Sequence, residues 1–261
     1  MRLGIDGGEL EYAVSGAGPA LLLFHAFPLA QFMWEAQAEA LAATHRVIRF
    51  DARGFGGSAL GQGPLTMERI ADDGAALLDH LGIETASVGG CSMGGYAAFA
   101  FVRRHPHRVR TLYLQDTRAG ADADEARANR LRLAERVSSE GASVAVDAFL
   151  PKLTGETTQR DNAPLVARLR EHILATSPQA IADALRGLAA RADSRPTLAE
   201  VRVPTLVLVG AEDVLTPPAE SEAMAAAIPG GRLEVVPRAG HLANLEQPAA
   251  VNAALRGFLA R

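Results

Sequence analysis

Residues 90–94 (GCSMG) place a serine between two glycines, directly after a run of apolar residues. A serine hydroxyl is a weak nucleophile at neutral pH, so it needs a neighbouring base and a group that orients that base. When a strand precedes the G-x-S-x-G spacing and a helix follows it, the tight turn exposes the serine at the top of a sheet. The backbone N–H of Met93 then faces any negative charge that forms beside the serine oxygen. The pattern therefore predicts Ser92 as a nucleophile and Met93 as an oxyanion donor.

Seven histidines are available to act as the base. His241 lies in the stretch RAGHLANLEQP, between the last predicted strand and the last predicted helix, which places it at the same edge of the sheet as Ser92. We predict His241 as the catalytic base. Five others are predicted at helix ends or on polar helix faces, which is typical of solvated histidine: His45, His80, His105, His107 and His172.

The acid that orients the base has three candidates. Asp213 follows the apolar run TLVLVG and precedes His241, which gives the chain order nucleophile, acid, base that accompanies a G-x-S-x-G turn in an α/β sheet. Asp116 follows the run TLYLQ and has an alternative role as a cap for the next turn. Glu212 is the neighbour of Asp213. Chain order and loop context favour Asp213.

A second oxyanion donor is expected in the loop after an early strand. Residues 24–28 (FHAFP) occupy that place, and the backbone N–H of Phe27 is the candidate that pairs with the N–H of Met93. The alternative interpretation is a turn that ends at a proline, with a structural role for His25.

The elements that must position these residues follow an alternating pattern. Short apolar runs alternate with helical patterns, which predicts a mostly parallel sheet flanked by helices. Strands are predicted at residues 20–25, 46–50, 86–91, 109–115, 205–210 and 231–236, and helices at 32–43, 67–82, 94–105, 218–228 and 247–260.

The alternation stops between residues 117 and 200, where only arginine-rich helical patterns occur, at 123–137, 163–175 and 179–190. The pattern predicts a core of residues 1–116 and 201–261 with a helical insertion at 117–200, either a cap over the site or a lateral subdomain. Arginines of this insertion, Arg118 among them, are candidates for binding a substrate carboxylate, but most of them are expected to lie on solvated helix faces. Three large residues are assigned to the pocket lining or to plain core: Trp34, Phe149 and Leu150.

Composition excludes several classes of function. The chain of 261 residues has a formal net charge of −4, so neither nucleic acid nor an anionic membrane is an expected partner. Cys91 is the single cysteine, so neither an intramolecular disulfide nor a cysteine-based zinc site can form. No apolar run approaches the roughly 18 residues of a membrane span, and no export signal is recognisable, so a cytoplasmic location is expected.

Five motifs together resemble those of the α/β-hydrolase superfamily, and the resemblance covers nearly the whole chain. They are HAFP, similar to the oxyanion loop, DARGFGGS, similar to the D-x-R-G-x-G-x-S turn, GGCSMGG, similar to the nucleophile elbow, GAEDVLTP, similar to the acid loop, and GHLANLEQP, similar to the histidine loop. Small bacterial carboxylesterases and 3-oxoadipate enol-lactonase-like hydrolases are the most similar groups. The resemblance implies an α/β-hydrolase fold with a helical cap and no cofactor.

Three positions depart from patterns within the superfamily. Ala26 stands where the oxyanion loop usually has glycine. Ser92 stands where haloalkane dehalogenases and epoxide hydrolases have aspartate, which argues against both activities. Leu242 stands where many C–C bond hydrolases have tryptophan.

The expected function is a carboxylesterase that hydrolyses small esters through an acyl-enzyme. A lactone hydrolase and a cofactor-free perhydrolase or haloperoxidase are alternatives within catalysis. A ligand receptor on a hydrolase fold is the alternative outside it. The acyl group, the alcohol and the oligomeric state stay open.

Overall fold

A computed structural model of the chain describes residues 1–260. Eight strands form its sheet: β1 (Arg2–Ile5), β2 (Gly8–Ser15), β3 (Ala20–Phe24), β4 (Arg46–Phe50), β5 (Ala86–Cys91), β6 (Val109–Gln115), β7 (Thr205–Gly210) and β8 (Arg232–Val236). The first helices are α1 (Glu35–Leu41), α2 (Met67–His80) and α3 (Met93–Arg104). Then follow α4 (Asp124–Glu140), α5 (Ser143–Leu153), α6 (Glu156–Asp161), α7 (Ala163–Ala175), α8 (Pro178–Ala189) and α9 (Arg195–Leu198). The last are α10 (Pro218–Ala227), α11 (Ala243–Glu246) and α12 (Pro248–Leu259).

The strands form one sheet in the order β1-β2-β4-β3-β5-β6-β7-β8. From β4 to β8 all neighbours are parallel, whereas β2 is antiparallel to both β1 and β4. Every residue of β3, β5 and β7 is buried, as expected for parallel strands covered by helices on both faces. The predicted α/β-hydrolase fold, a mostly parallel sheet flanked by helices, is confirmed.

This topology brings the carboxyl ends of the parallel strands to one edge of the sheet. β5 ends directly before Ser92, β7 ends three residues before Asp213, and β8 ends five residues before His241. Ligands of open α/β sheets bind at such an edge.

The antiparallel strands β1 and β2 were not among the predicted elements. Along β2 the buried Leu10 and Tyr12 alternate with exposed or half-exposed neighbours, because this part of the sheet has one face in solvent. The continuous apolar run that marks the central strands is therefore missing here. The helix predicted at 32–43 is also divided, into a 3₁₀ turn at Gln31–Trp34 followed by α1.

The structure describes all of residues 117–200, and this range contains helices α4 to α9 and no strand. α4 packs along α8, and Ile181 and Leu185 of α8 are inaccessible to solvent. Sequence patterns did not predict α5, α6 or α9. No helix within residues 1–260 has both the length and the apolar character that a membrane crossing requires.

Candidate active site

Ser92 is the single residue between β5 and α3, and its backbone has φ 54° and ψ −114°. A non-glycine residue at positive φ is strained and persists where the surrounding structure enforces it. The flanking glycines supply the necessary space: a Cβ on Gly90 would lie 2.1 Å from the carbonyl oxygen of Gly94, and one on Gly94 would lie 2.2 Å from that of Phe24. The strand, the turn and the helix can approach so closely only because both positions are glycine.

A continuous chain of hydrogen bonds joins Ser92, His241 and Asp213. The Nε2 atom of His241 lies 2.8 Å from the Oγ atom of Ser92, and its Nδ1 atom lies 2.9 Å from the Oδ2 atom of Asp213. His241 and Asp213 are both buried. With Nδ1–H donating to the carboxylate, Nε2 is free to accept the serine proton. The structure thus brings together the three residues that the sequence predicts as nucleophile, base and acid.

The carboxylate of Asp213 is held in place by its own loop. Its Oδ1 atom accepts hydrogen bonds from the backbone N–H groups of Leu215 (2.8 Å) and Thr216 (3.0 Å), and its Oδ2 atom accepts one from the Thr216 hydroxyl (2.6 Å). Burial raises the pKa of Asp213, but the charge of His241 and the hydrogen bonds from His241 and Thr216 outweigh it, so the pKa lies below its ordinary value. Asp213 therefore stays ionised beside the imidazole.

Two residues that support this arrangement were missed by the sequence analysis. The hydroxyl of Thr216 also lies 3.2 Å from Nδ1 of His241, and the Asp-x-x-Thr spacing was the signal for it. Glu246 accepts hydrogen bonds from the N–H groups of Gly240 (2.9 Å) and Leu242 (3.1 Å), on either side of His241. This buried carboxylate fixes the shape of the histidine loop.

The rival acids have other partners. Asp116 is fully buried and accepts hydrogen bonds from the N–H of Gly210 (2.8 Å), the N–H of Ala243 (3.1 Å) and Nε2 of Gln115 (2.9 Å). Burial, with the nearby charge of Asp213, raises the pKa of Asp116 well above its ordinary value. Asp116 ties the end of β6 to the end of β7 and to the start of α11, and makes no hydrogen bond to His241 within the described residues.

Glu212 is also engaged elsewhere. Its Oε2 atom accepts a hydrogen bond from the backbone N–H of Thr157 (2.9 Å), and its Oε1 atom accepts one from the Thr157 hydroxyl (2.5 Å). Glu212 therefore connects the loop that carries Asp213 to helix α6.

The two predicted oxyanion donors, Phe27 and Met93, line the same cavity as Ser92 and His241. Within residues 1–260 neither backbone N–H donates a hydrogen bond, and the N–H of Met93 is the first N–H of helix α3. Free N–H groups at a helix N-terminus favour a negative charge. His25 holds the loop that carries Phe27: its Nδ1 donates to the carbonyl of Ala26 (2.9 Å) and its Nε2 accepts from the N–H of Ala52 (2.9 Å).

The cavity beside Ser92 has a volume of about 80 Å³. Its apolar wall comes from both parts of the chain, with Phe149, Leu153 and Leu188 supplied by α5 and α8. Trp34, by contrast, is fully buried core and donates a hydrogen bond to the carbonyl of Phe24 (3.2 Å). No cluster of His, Cys, Asp or Glu side chains within residues 1–260 is arranged to hold a metal ion.

For two of the remaining histidines the expectation of a solvated side chain is wrong. His45 is largely buried and lies 2.9 Å from the hydroxyl of Thr44. His172 packs on Phe32, with 4.5 Å between ring centroids, and its buried Nε2 atom has no partner in the described structure. Burial, with a smaller contribution from His25, lowers the pKa of His172 to about 4. His172 is covered because helix α7 packs on the segment that carries Phe32, a long-range contact that the sequence does not indicate, whereas His45 lies in the turn between α1 and β4.

We expect His172 to make stability depend on pH. The unfolded chain binds a proton at this residue near pH 6.5 and the folded chain only near pH 4, so stability falls as the pH falls through this window. The His172→Gln variant lacks this contribution to the loss of stability. Its melting temperature should therefore fall by roughly 2–4 °C less than that of the wild type over the same pH range. Calorimetry across this pH range measures the melting temperatures, and His107→Gln, which replaces an exposed histidine, is the control. Parallel curves for wild type and His172→Gln would contradict the prediction.

Comparisons with known proteins agree with the architecture. The model of a family described as having the alpha/beta hydrolase fold matches residues 19–248. The chain is similar to a thermophilic esterase from Thermogutta terrifontis, solved with malate bound, at 44% identity and a TM-score of 0.97 over 100% of this chain and 98% of the other.

Two further relatives carry other activities in their names. The chain is 31% identical to 3-oxoadipate enol-lactonase 2 of Acinetobacter baylyi, over 97% of this chain and 93% of the relative. The chain is 30% identical to a protein assigned as a non-heme bromoperoxidase in Mycobacterium tuberculosis, over 97% of this chain and 94% of the relative.

Proposed function

Since this chain belongs to the α/β-hydrolase fold family, we propose that it is a serine hydrolase that cleaves carboxylic esters of small substrates through an acyl-enzyme. The observation that carries the proposal is the hydrogen-bond chain from Ser92 through His241 to Asp213, with distances of 2.8 and 2.9 Å. Similarity to an esterase at 44% identity over the whole chain supports the same activity.

The proposed reaction has two halves. His241 takes the proton of Ser92 as Oγ attacks the acyl carbon, and the ionised Asp213 stabilises the imidazolium that forms. The N–H groups of Met93 and Phe27 hold the oxyanion. His241 then gives its proton to the leaving alcohol, and an acyl-enzyme results. Water, deprotonated by the same His241, attacks the acyl carbon and releases the acid together with the free Ser92 hydroxyl.

The proposal includes the division of the chain into a core of residues 1–116 and 201–261 and a cap of residues 117–200. Support comes from Phe149, Leu153 and Leu188, because these residues of the insertion line the cavity that contains Ser92. A lid that excludes water strengthens electrostatic interactions inside the site.

The small cavity predicts a preference for short acyl chains. A volume of about 80 Å³ leaves little room beside Ser92, so a long chain must displace apolar residues of the cap. On p-nitrophenyl esters from acetate to palmitate, we expect kcat/KM to peak at the short chains and to fall about tenfold or more at octanoate. Leu188→Ala should move the peak to longer chains.

The matched control for this prediction is Leu185→Ala, because Leu185 is buried on the same helix but does not line the cavity. It should lower the melting temperature and leave the chain-length preference unchanged. Ser92→Ala, measured alongside, shows whether turnover depends on the serine. A peak at palmitate, or turnover that does not depend on Ser92, contradicts the proposal.

A lactone hydrolase is the second candidate, because the chain is 31% identical to an enol-lactonase over nearly its whole length. The same nucleophile and oxyanion donors serve a cyclic ester, whose leaving alcohol stays tethered to the acyl group. A kcat/KM for small lactones that exceeds that of every short open-chain ester, and is lost in Ser92→Ala, favours this candidate. Tight ligand binding with no turnover on either class favours a receptor instead.

A further inference from the structure

Strand β8 forms one edge of the sheet and is exposed to solvent there. Among the described strands it pairs with β7 alone. Residues 232–235 are all exposed, whereas every residue of β7 is buried. Leu233 and Val235 have exposed fractions of 36% and 41%, and no other strand within residues 1–260 has a large apolar residue so exposed. An open strand edge of this kind can pair with a strand of another chain.

The unpaired backbone groups of this edge belong to Leu233 and Val235. The N–H of Ala211, directly after β7, donates to the carbonyl of Val236 (2.9 Å), so Val236 turns its backbone groups toward β7. The N–H and C=O of a strand residue point to the same side of the strand, and that side alternates from one residue to the next. Leu233 and Val235 therefore direct their N–H and C=O groups to solvent, and no turn or loop within residues 1–260 pairs with them.

The charged side chains of the edge follow a self-complementary order. Arg232 and Glu234 flank Leu233 in the chain, lie on the opposite face of the sheet from it, and form no ion pair with a described residue. If a second copy of β8 runs antiparallel with its Leu233 opposite Leu233, Arg232 of each copy lies opposite Glu234 of the other. Opposite charges at facing positions of two strands stabilise the pair, and like charges destabilise it.

The alternative registers lack this match. When two identical strands pair antiparallel through their outward backbone groups, one residue lies opposite its own copy. A register centred on Arg232 or on Glu234 places like charges opposite each other. A register centred on Val235 places Leu233 opposite Pro237, which has no N–H to donate. The register centred on Leu233 is the one that combines matched charges with paired backbone groups.

We propose that the chain forms a homodimer through β8, in which the β8 strands of two copies pair antiparallel about Leu233 and join the two sheets. The inference does not depend on the proposed function. The two Leu233 residues exchange a pair of N–H···O=C hydrogen bonds, their exposed side chains meet at the two-fold axis, and two ion pairs between Arg232 and Glu234 form beside them. An edge of 5 residues buries little surface, so we expect a weak dimer with a Kd of about 10–100 µM.

Sedimentation equilibrium measures the dimer, and charge reversal tests what holds it together. Over about 1–300 µM protein, we expect the wild type to pass from monomer to dimer. Glu234→Arg places arginine opposite arginine at two sites, so Kd should rise roughly tenfold or more. The double variant Arg232→Glu/Glu234→Arg has opposite charges at both sites again, and its Kd should return to within about threefold of the wild type.

Glu125→Arg is the control for charge reversal. Glu125 is exposed on α4, far from β8 in the chain, and its reversal changes the net charge as much as Glu234→Arg does. The control should keep the Kd of the wild type. Since all the substituted residues are exposed, circular dichroism should show every variant folded.

Mixing two single variants tests complementarity between copies. Arg232→Glu alone has two acids on the edge, and Glu234→Arg alone has two arginines, so each should dimerise poorly. In an equimolar mixture each arginine of one chain faces an acid of the other. We expect the mixture to form a heterodimer with a Kd at least about tenfold below that of either variant alone.

Cysteine crosslinking tests the register. In the register centred on Leu233, the two Leu233 Cα atoms lie about 5.5 Å apart, within reach of a disulfide, whereas the two Val235 Cα atoms lie about 14 Å apart. Under air oxidation with a copper catalyst, Leu233→Cys should give a disulfide-linked dimer, and the matched variant Val235→Cys should not. The native Cys91 is buried and does not compete.

Three results overturn the inference. A wild type that stays monomeric over the whole concentration range shows that the edge does not pair. A dimer that Glu234→Arg and Glu125→Arg both retain shows that the interface lies elsewhere. Crosslinking of Val235→Cys that equals that of Leu233→Cys shows that the copies do not pair about Leu233.

Discussion

Ser92→Ala is expected to lower kcat for ester hydrolysis by about 10⁵-fold or more, to a residual rate that comes from substrate binding and the oxyanion donors. The substitution removes the atom that attacks the acyl carbon and leaves the rest of the site in place. It should not change the melting temperature appreciably, because alanine carries the same strain as serine at a φ of 54°. Stopped-flow measurements should also lose the initial burst of product that an accumulating acyl-enzyme gives.

Ser87→Ala is the matched control for this prediction. Ser87 is a buried serine on the same strand, β5, and does not line the cavity beside Ser92. The control should keep kcat near that of the wild type. A fluorophosphonate probe that labels active serines should modify wild type and Ser87→Ala, and should leave Ser92→Ala unmodified. If pure Ser92→Ala protein retains most of the activity, Ser92 is not the nucleophile.

The parts of the site that could be predicted depend on local backbone chemistry. Gly90 is required within the turn itself, because a Cβ there would lie 2.1 Å from the carbonyl oxygen of Gly94, so this requirement is visible in the local sequence. Gly94 is required by a neighbouring strand, because a Cβ there would lie 2.2 Å from the carbonyl oxygen of Phe24 on β3. Buried parallel strands give continuous apolar runs, and these runs placed Ser92, Asp213 and His241 at one edge of the sheet. Order along the chain then favoured Asp213 over Asp116.

The parts that could not be predicted depend on contacts between distant segments. Glu246 fixes the histidine loop and also accepts a hydrogen bond from Gly155, 91 positions away in the chain. Arg191 also pairs with Asp122, and no local sequence pattern indicates this contact. Strands β1 and β2 were missed for a different reason, since a sheet with one solvated face gives an alternating pattern that is weaker than a buried run.

The rivalry between Asp213 and Asp116 shows how tertiary contacts separate two acids that look alike in sequence. Each follows a buried strand. Asp213 accepts a hydrogen bond from His241 itself, and Asp116 accepts one from the N–H of Ala243, two residues after His241. Asp213 accepts from His241 and has a lowered pKa, whereas Asp116 accepts from three other donors and has a raised one. One carboxylate is therefore placed to stabilise a positive charge, and the other to hold backbone in position.

Asp213→Asn is accordingly expected to lower kcat by roughly 10³- to 10⁴-fold. The amide cannot accept the Nδ1 proton of His241 while its oxygen keeps the hydrogen bonds from the loop, so the imidazole loses its fixed tautomer and its charge stabilisation. Ester hydrolysis measured with a saturating short-chain substrate gives kcat. Circular dichroism and the melting temperature check that the variant is folded.

Asp116→Asn is the matched variant, with the same change of one atom in a buried carboxyl group at the same edge of the sheet. We expect kcat to fall by less than about tenfold, since no described hydrogen bond joins Asp116 to His241. The melting temperature should fall instead, because the amide NH₂ cannot accept a hydrogen bond from Gly210 or Ala243 and leaves one buried donor unsatisfied. A loss of kcat in Asp116→Asn as large as that in Asp213→Asn, with the fold intact, would mean that Asp116 orients the base and that the distance of 2.9 Å between Asp213 and His241 serves structure alone.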